Sequence, residues 1–399
     1  MIKQEKKLMI LGAGVNQVPL IQTAQRRGYS VIVVSPSGNY PGINLAENWL
    51  DCDTRNENEI LNAARRAKID GILTTGTDVA VPSIGLVNEK LGLIGVDFDT
   101  AQKCQNKINM KKSMVEGGVS TAEFDIISTI DQSQEFIKFN GYPVILKAPD
   151  TSGSRGVQKV NSENELQSAF EFAKKYTNSK NLIIEKFLDG YELGAQVIVS
   201  DGQVKALFLH NDVVAGTAVS VPIGHSIPVD LSLGMQEKIF KQILRLVNCM
   251  QIDNSIINLD LMICGSEIYV IEVGARLGAT CIPENIMASY GVDLYEIAID
   301  LALGKSVDIG VIELKTASAV RILRAQKSGV IKRINVENEV LAHPDLIELK
   351  FDVGPGSVVN EFKTGDHRIG QIVVKGSSKD YSEQLITDLL KKIEISIDG

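Results

Sequence analysis

The stretch NSIINLDLMICGSEIYVIEVGARLGAT, residues 254–280, is apolar for most of its length, yet it carries Asp260, Glu272 and Arg276. Gly265 and Ser266 divide it into two strand-like halves, which reads as a β-hairpin. Side chains alternate faces along a strand with period two. A three-residue loop of Gly265, Ser266 and Glu267 sets Cys264 opposite Ile268, Met262 opposite Val270, and Asp260 opposite Glu272. The two acids then share one face.

Like charges directly opposite one another destabilise a sheet, and burying them unpaired costs more, so this pair calls for a proton or a cation. A divalent ion with oxygen ligands, Mg2+ above all, meets that need and commonly brings nucleotide phosphates with it. Arg276, just past the second strand, would then face phosphate or developing negative charge. These residues alone leave a second reading open, a solvated edge hairpin with an incidental acid pair.

A chain of 399 residues is long for one core and implies two or three domains. Its 44% hydrophobic content is that of an ordinary globular protein. With 41 basic against 49 acidic residues, the net charge of -8 argues against a nucleic-acid or anionic-membrane partner. No apolar run approaches a membrane span, and MIKQEKKLMILGAG leads into a strand and turn rather than a cleavage site, so a cytoplasmic location is expected. Cys52, Cys104, Cys249, Cys264 and Cys281 are scattered without CxxC spacing, so they read as buried apolar residues rather than disulfides or zinc ligands. The four dispersed histidines form no metal-ligand pattern.

KKLMILGAGVNQVPLIQTAQRRGYSVIVVSP, residues 6–36, reads as strand, glycine turn, helix, strand, a βαβ unit. Gly12 and Gly14 let the chain turn where open α/β sheets place ligands. Gln17 stands where a dinucleotide fingerprint has its third glycine, and no acid follows the second strand, so a nicotinamide cofactor is not expected. In a second α/β round, Thr77 and Asp78 follow the strand GILTTGT, either facing substrate or capping the next helix.

In PVILKAPDTSGSRGV, residues 143–157, Lys147 ends an apolar strand before a Gly/Ser loop whose backbone N–H groups suit phosphate. In LIIEKFLDGYELGAQVIV, residues 182–199, Glu185 closes one strand and Glu192 opens another.

Taken in order, the glycine-turn N-terminal unit, NKINMKKSM, PVILKAPDTSGSRGV, LIIEKFLDGYE, INLD and YVIEVGARLG resemble the ATP-grasp superfamily over most of the chain. The resemblance implies ATP clasped between two subdomains and hydrolysed to join a carboxylate to a nucleophile, usually an amine. Carried over by position, Lys107 and Lys147 match the phosphate-binding lysines, and Ser152, Gly153, Ser154, Gly156 and Val157 the mobile phosphate-covering loop. Glu185, Lys186, Phe187 and Leu188 match the adenine-reading linker, and Glu192 the ribose-binding acid. Asp260 and Glu272 match the Mg2+ pair, with Mn2+ as an alternative ion, and Arg276 the arginine at the phosphate and intermediate.

Many members carry asparagine two residues after the second metal acid, where this chain has Gly274. Asn258, opposite it in the hairpin register, either fills the vacancy or leaves two carboxylates and water to suffice. His225, in VPIGHSIPVDLS, is a further substrate candidate beside Gly12, Gly14, Thr77 and Asp78, or else a surface-loop histidine. Arg321 and Arg368 are plausible cleft residues, with surface charge the plainer reading.

The expected architecture combines α/β and α+β parts. A Rossmann-like α/β domain spans residues 1–100, a two-subdomain ATP-grasp domain 101–310, and a small β-rich domain 311–399. The resemblance implies a ligase that makes an acyl phosphate from a small carboxylate and passes it to an amine, acting alone on small molecules or as a homodimer. The competing readings are a purine-biosynthetic enzyme similar to phosphoribosylglycinamide synthetase or its formate-using relative, a bicarbonate-activating enzyme, and a non-catalytic ATP sensor.

Overall fold

In the N-terminal unit, Leu8, Met9, Ile10 and Leu11 are fully buried, the pattern of a parallel strand covered on both faces. The computed structural model describes residues 6–153, 155–215 and 221–398. Lys7–Leu11 is central in a four-stranded parallel sheet, in the order Asn48–Asp51, Ser30–Ser35, Lys7–Leu11, Gly71–Leu73. Helices Glu57–Ala67 and Val81–Leu91 pack one apolar face through Ile60, Ala64, Ile84 and Val87. The other face is covered by Val18–Arg26 and by Leu294–Ala302, a helix from far along the chain whose Asp300 takes Arg27 at 2.9 Å.

The glycine turn is closed by its own departure from the dinucleotide pattern. Gln17 is buried, accepts the Gly14 N–H at 2.9 Å and donates to the Thr75 carbonyl. Gly12 has φ +97°, and a Cβ there would lie 2.9 Å from the Gln17 side chain. Gln17 thus fills the space over the turn and ties it to the end of Gly71–Leu73.

An antiparallel eight-stranded sheet forms the core of the rest. Its order is Glu267–Gly274, Ser255–Cys264, Tyr191–Ser200, Gln203–Ala215, Val221–Ile227, Ala317–Arg324, Arg368–Gly376, Leu346–Phe351. The sheet runs on across residue 310, because Val221–Ile227 pairs with Ala317–Arg324. A smaller sheet has the order Phe124–Ile127, Leu182–Lys186, Val144–Lys147, Val157–Val160, and helix Lys107–Glu116, whose Met110 and Met114 pack in the core of the large sheet, reaches it through Lys111 and Glu185. The β-rich C-terminal part adds a three-stranded sheet and helix Lys379–Leu390. Among the described residues no helix is long and apolar enough to cross a membrane.

The decisive hairpin departs from the expected register near its turn. Its loop has two residues, Gly265 at φ +61° and Ser266, so Cys264 faces Glu267 and Met262 faces Tyr269. A bulge at Ile271 absorbs the one-residue slip, and Asp260 still faces Glu272. A bulge inserts one unpaired residue, which returns Glu272 to the face it would otherwise have lost.

Candidate functional site

Lys107 is the first residue of its helix, whose Asn106 cap accepts the N–H groups of Ile108 and Asn109. The Lys107 ammonium donates to Glu272 at 2.9 Å and to the Thr151 carbonyl at 2.6 Å. This bond brings the base of the Gly/Ser loop to the hairpin acids. Ser152, Gly153 and Arg155 continue the loop, Gly156 returns it beside Ala148 with a 2.9 Å backbone bond, and Val157 starts the next strand. Ser154 lies outside the described residues.

Lys147 is buried and donates to Glu185 at 2.8 Å. A second cation meets the same carboxylate, since Lys111 lies 3.2 Å from Glu185 and is 1% exposed. Burial pushes the Lys111 ammonium down to about 8 against the pull of Glu185. Burial disfavours the Glu185 carboxylate too, but the two lysines outweigh it and hold it below its usual range. Lys111 was not foreseen. It sits four residues after Lys107, hence on the same helical face, and that spacing was the available signal. Glu185 is therefore an internal ion-pair partner at the strand end, while Lys186 and Phe187 spend their N–H groups on Glu123 and Pro143 carbonyls. Leu188 follows this segment, and Glu192, opposite Met262, is exposed.

Asp260 and Glu272 pair across the hairpin as expected. Burial raises the Asp260 carboxyl well above its ordinary value, and Glu272, Asp212 and Glu192 push it the same way. Arg276 donates to Asp78 at 2.8 Å across the seam with the N-terminal unit. That seam is sewn by the Gly76 N–H to the Leu277 carbonyl at 3.0 Å, and by Thr75 Oγ1 to Gly278 at 3.1 Å. Burial works against the Arg276 charge, but Asp78, Asp260 and Glu272 outweigh it. Asp78 does not cap the following helix, whose first turn starts at Ala80 without a side-chain cap. Thr77 stands beside it, half-buried.

Asn258 does not fill the space at Gly274. It accepts from Gln196 at 2.6 Å, and Gln196 in turn accepts the Gly278 N–H at 2.9 Å. The space is taken by Asp78: a Cβ on Gly274 would lie 2.5 Å from Asp78 Oδ1.

The expectation that the histidines form no constellation is corrected. His210 and His225 each place Nδ1 on the same oxygen of Asp212, at 2.8 and 2.6 Å. One ligand atom from each of the three lies within 4.8 Å of the others. His225 is on a strand and 2% exposed, not in a surface loop. Two strands carry this trio because residues two apart share a face, as His210 and Asp212 do, and because Asp212 pairs with His225.

Surface charge is also the wrong reading for Arg321 and Arg368. Arg321 is buried against Glu383, and Arg368 holds Asp352 at 2.8 Å. Arg368 lines a small cleft with Lys350, Gln371, Glu284 and, from the glycine turn, Val15 and Asn16. Gly12 and Gly14 shape that turn rather than line the cleft. The five cysteines are free thiols, three of them buried and Cys249 and Cys264 half-buried.

Residues 104–280 match the family described as ATP-grasp domain, and residues 321–398 that of L-amino acid ligase C-terminal domain 2. The structure superposes on phosphoribosylglycinamide synthetase from Anaerococcus prevotii with a TM-score of 0.83 and 26% identity, covering 99% of this chain and 100% of that one. It superposes on the L-amino acid ligase of Bacillus licheniformis with a TM-score of 0.84 and 21% identity over both whole chains. The carbamoyl phosphate synthase large chain of Thermotoga petrophila is 24% identical over 327 residues, 76% of this chain and 29% of that relative's length.

Proposed function

The chain is a member of the ATP-grasp superfamily, and from that premise we propose that it is an ADP-forming ligase joining a small carboxylate to an amine through an acyl phosphate. It is an enzyme of the carbon–nitrogen ligase type with ATP and Mg2+ as cofactors. The observation that carries this reading is the convergence of Lys107, Glu272, Asp260 and Arg276 on one face of the large sheet, beneath the loop that begins at Thr151.

The residues present fit the cation. Two facing carboxylates, one driven toward its protonated form by burial and neighbouring acids, are a hard oxygen donor set short of positive charge. When bound, the ion neutralises charge between those acids and the phosphates. Lys107 and Lys147 bring ammonium groups to the phosphate chain, Lys107 from a helix N-terminus that itself favours anions. The loop at 151–156 shields the acyl phosphate from water. Arg276 carries charge for the transferring phosphoryl group and the tetrahedral adduct that follows. His225 holds Nδ1 on Asp212 and keeps Nε2 buried, outside the lining of the cleft at Arg368.

The cleft at Arg368 is the acceptor pocket in this reading. A ribose phosphate there, as a purine-pathway role requires, is favoured by two cations, Lys350 and Arg368. Asp352 already compensates Arg368 at 2.8 Å and Glu284 lines the same cleft, which weakens that reading in favour of a less charged acceptor. A cytoplasmic site of action and assembly as a homodimer belong to the same proposal.

The test is ADP release from Mg–ATP over paired substrates: amino acids in pairs, phosphoribosylamine with glycine, phosphoribosylglycinamide with formate, and bicarbonate. Turnover that requires one amino-acid pair supports the reading, and turnover only with a ribose phosphate replaces it with the purine one. ATP binding without stimulated turnover across the panel points to a sensor. Glu272→Gln must abolish whatever turnover is found.

A further inference from the structure

One carboxylate of the smaller sheet serves two cations. Lys147 Nζ donates to Glu185 Oε2 at 2.8 Å, and Lys111 Nζ lies 3.2 Å from Oε1. All three side chains are buried, but their surroundings differ. Lys147 ends strand Val144–Lys147, shortly before the loop that begins at Thr151. Lys111 is 1% exposed, which leaves it no surface for a ligand. Its ammonium is anchored instead: Nζ donates to Thr121 Oγ1 at 2.6 Å, Thr121 donates to the Val270 carbonyl at 2.7 Å, and the Phe124 ring lies 5.9 Å from Nζ. Val270 is on the hairpin strand that carries Glu272, and Phe124 stands opposite Glu185 in the smaller sheet, so Lys111 is fixed to both sheets at once.

The consequence of that anchoring is electrostatic. Lys147 and Glu185 alone would form a neutral pair, and drawing Lys147 toward a phosphate would strip a buried carboxylate of its counterion, which is costly. With Lys111 present the group carries a surplus positive charge, and Glu185 keeps a cation when Lys147 turns away. The two ammonium groups also repel one another across the carboxylate they share. We propose that Lys111 is a positioning residue for phosphate binding: by holding Glu185, it frees the Lys147 ammonium for the phosphates of the nucleotide. This rests on the ATP reading above and adds to it a residue that never meets the nucleotide.

The experiment measures, by isothermal titration calorimetry, how tightly the full chain binds the non-hydrolysable ATP analogue adenylyl imidodiphosphate with Mg2+, and how tightly it binds adenosine, which has no phosphates. Circular dichroism is the control for folding. Lys111→Met should weaken analogue binding about tenfold or more, the scale of one charged hydrogen bond, and leave adenosine binding unchanged. Lys111→Arg keeps the cation and should recover most of that loss. Adding Glu185→Gln to Lys111→Met removes the carboxylate that would otherwise retain Lys147, and should bring analogue affinity back to within about threefold of the unmodified protein, since the two residues are coupled. The double variant buries no unpaired carboxylate, so it tests the proposal even where Lys111→Met alone does not fold. Unchanged analogue affinity in Lys111→Met overturns the proposal. So does an equal loss for analogue and adenosine, which would make Lys111 a purely structural contact, and so does a double variant that fails to recover. If the unmodified protein binds no analogue, the ATP reading falls and takes this inference with it, an outcome distinct from the other three.

Discussion

Two groups of ionisable side chains occupy the same large sheet and respond to burial in opposite ways. At the hairpin, burial and neighbouring acids drive the Asp260 carboxyl upward. Two strands away, Asp212 is just as enclosed, but His210 and His225 outweigh burial and hold its carboxyl below the usual range. Gly194 lies between them, opposite Asp260 on one side and His210 on the other. The Asp212 trio satisfies its own charge within the protein. At the hairpin Glu272 takes Lys107, but among the described residues no cation is bonded to Asp260, and that is the deficit the proposed cation and phosphates would meet.

The difference is broken most severely by neutralising the hairpin. With its carboxyl raised above the unfolded value, Asp260 costs the cation-free protein stability once pH exceeds that unfolded value. Asp260→Asn should therefore raise the melting temperature in EDTA while cutting ADP release by about 10³-fold, the scale of losing a charge-stabilising group in phosphoryl transfer. A fall in melting temperature would mean that Asp260 is already compensated, as Asp212 is.

The same change at the other cluster should act the other way. Asp212→Asn keeps an oxygen for both imidazole N–H groups but removes its charge, so two charge-assisted hydrogen bonds become neutral ones. The expected loss is about 1–3 kcal/mol, read as a lower urea midpoint with unchanged slope. If stability is unaffected, the trio is not an internal compensating device.

The sequence shows the first of these regions and hides the second for a physical reason. Asp260 and Glu272 stand out because a carboxylate inside an apolar strand pair violates alternation, and twelve residues joined by a Gly-Ser turn can be registered by counting. Even there the turn was mispaired, because a bulge at Ile271 leaves no compositional trace. The trio needs a pairing between Asp212 and His225, thirteen residues apart, through a segment with no turn signature as clear as the hairpin's. The βαβ opening and the strand-rich tail follow from local periodicity, whereas the order of strands in the large sheet does not. The ion pair of Asp78 with Arg276 spans 198 residues, and Lys111 with Glu185 joins two elements far apart in the chain. Contacts of that reach are set by packing, not by neighbours in sequence.

Gly194 offers a smaller perturbation of the boundary itself. A Cβ there would lie 1.9 Å from His210 Cε1, a contact that only movement of the ring relieves. Gly194→Ala should cost about 1 kcal/mol, at the low end for overpacking because the intruded atom belongs to a side chain. It should also shift the His210 ring resonances without lowering Mn2+ affinity at the hairpin. A loss of Mn2+ affinity would show that the two clusters are coupled through this strand.

The mildest probe is pH. Burial lowers the His225 imidazole despite Asp212, with His210 and, from the adjoining strand, Arg321 acting in the same sense as burial. A histidine depressed in the folded state remains neutral while the unfolded chain takes up a proton, so stability is full above about pH 6.5 and falls below it. Asp212 contributes in a separate window, because a depressed carboxyl loses its stabilisation only below about pH 4. Asp260, whose raised carboxyl makes stability rise as pH falls, opposes this slope. The comparison is therefore made in the Asp260→Asn protein, where the imidazole contributes at most about 1.4 kcal/mol per pH unit between pH 6.5 and 5. His225→Gln should flatten the stability profile in that interval and leave the steep loss below pH 4 in place. A profile that keeps its slope assigns the proton to another group, and one that flattens below pH 4 as well would show that the carboxylate and the imidazole titrate as a single unit.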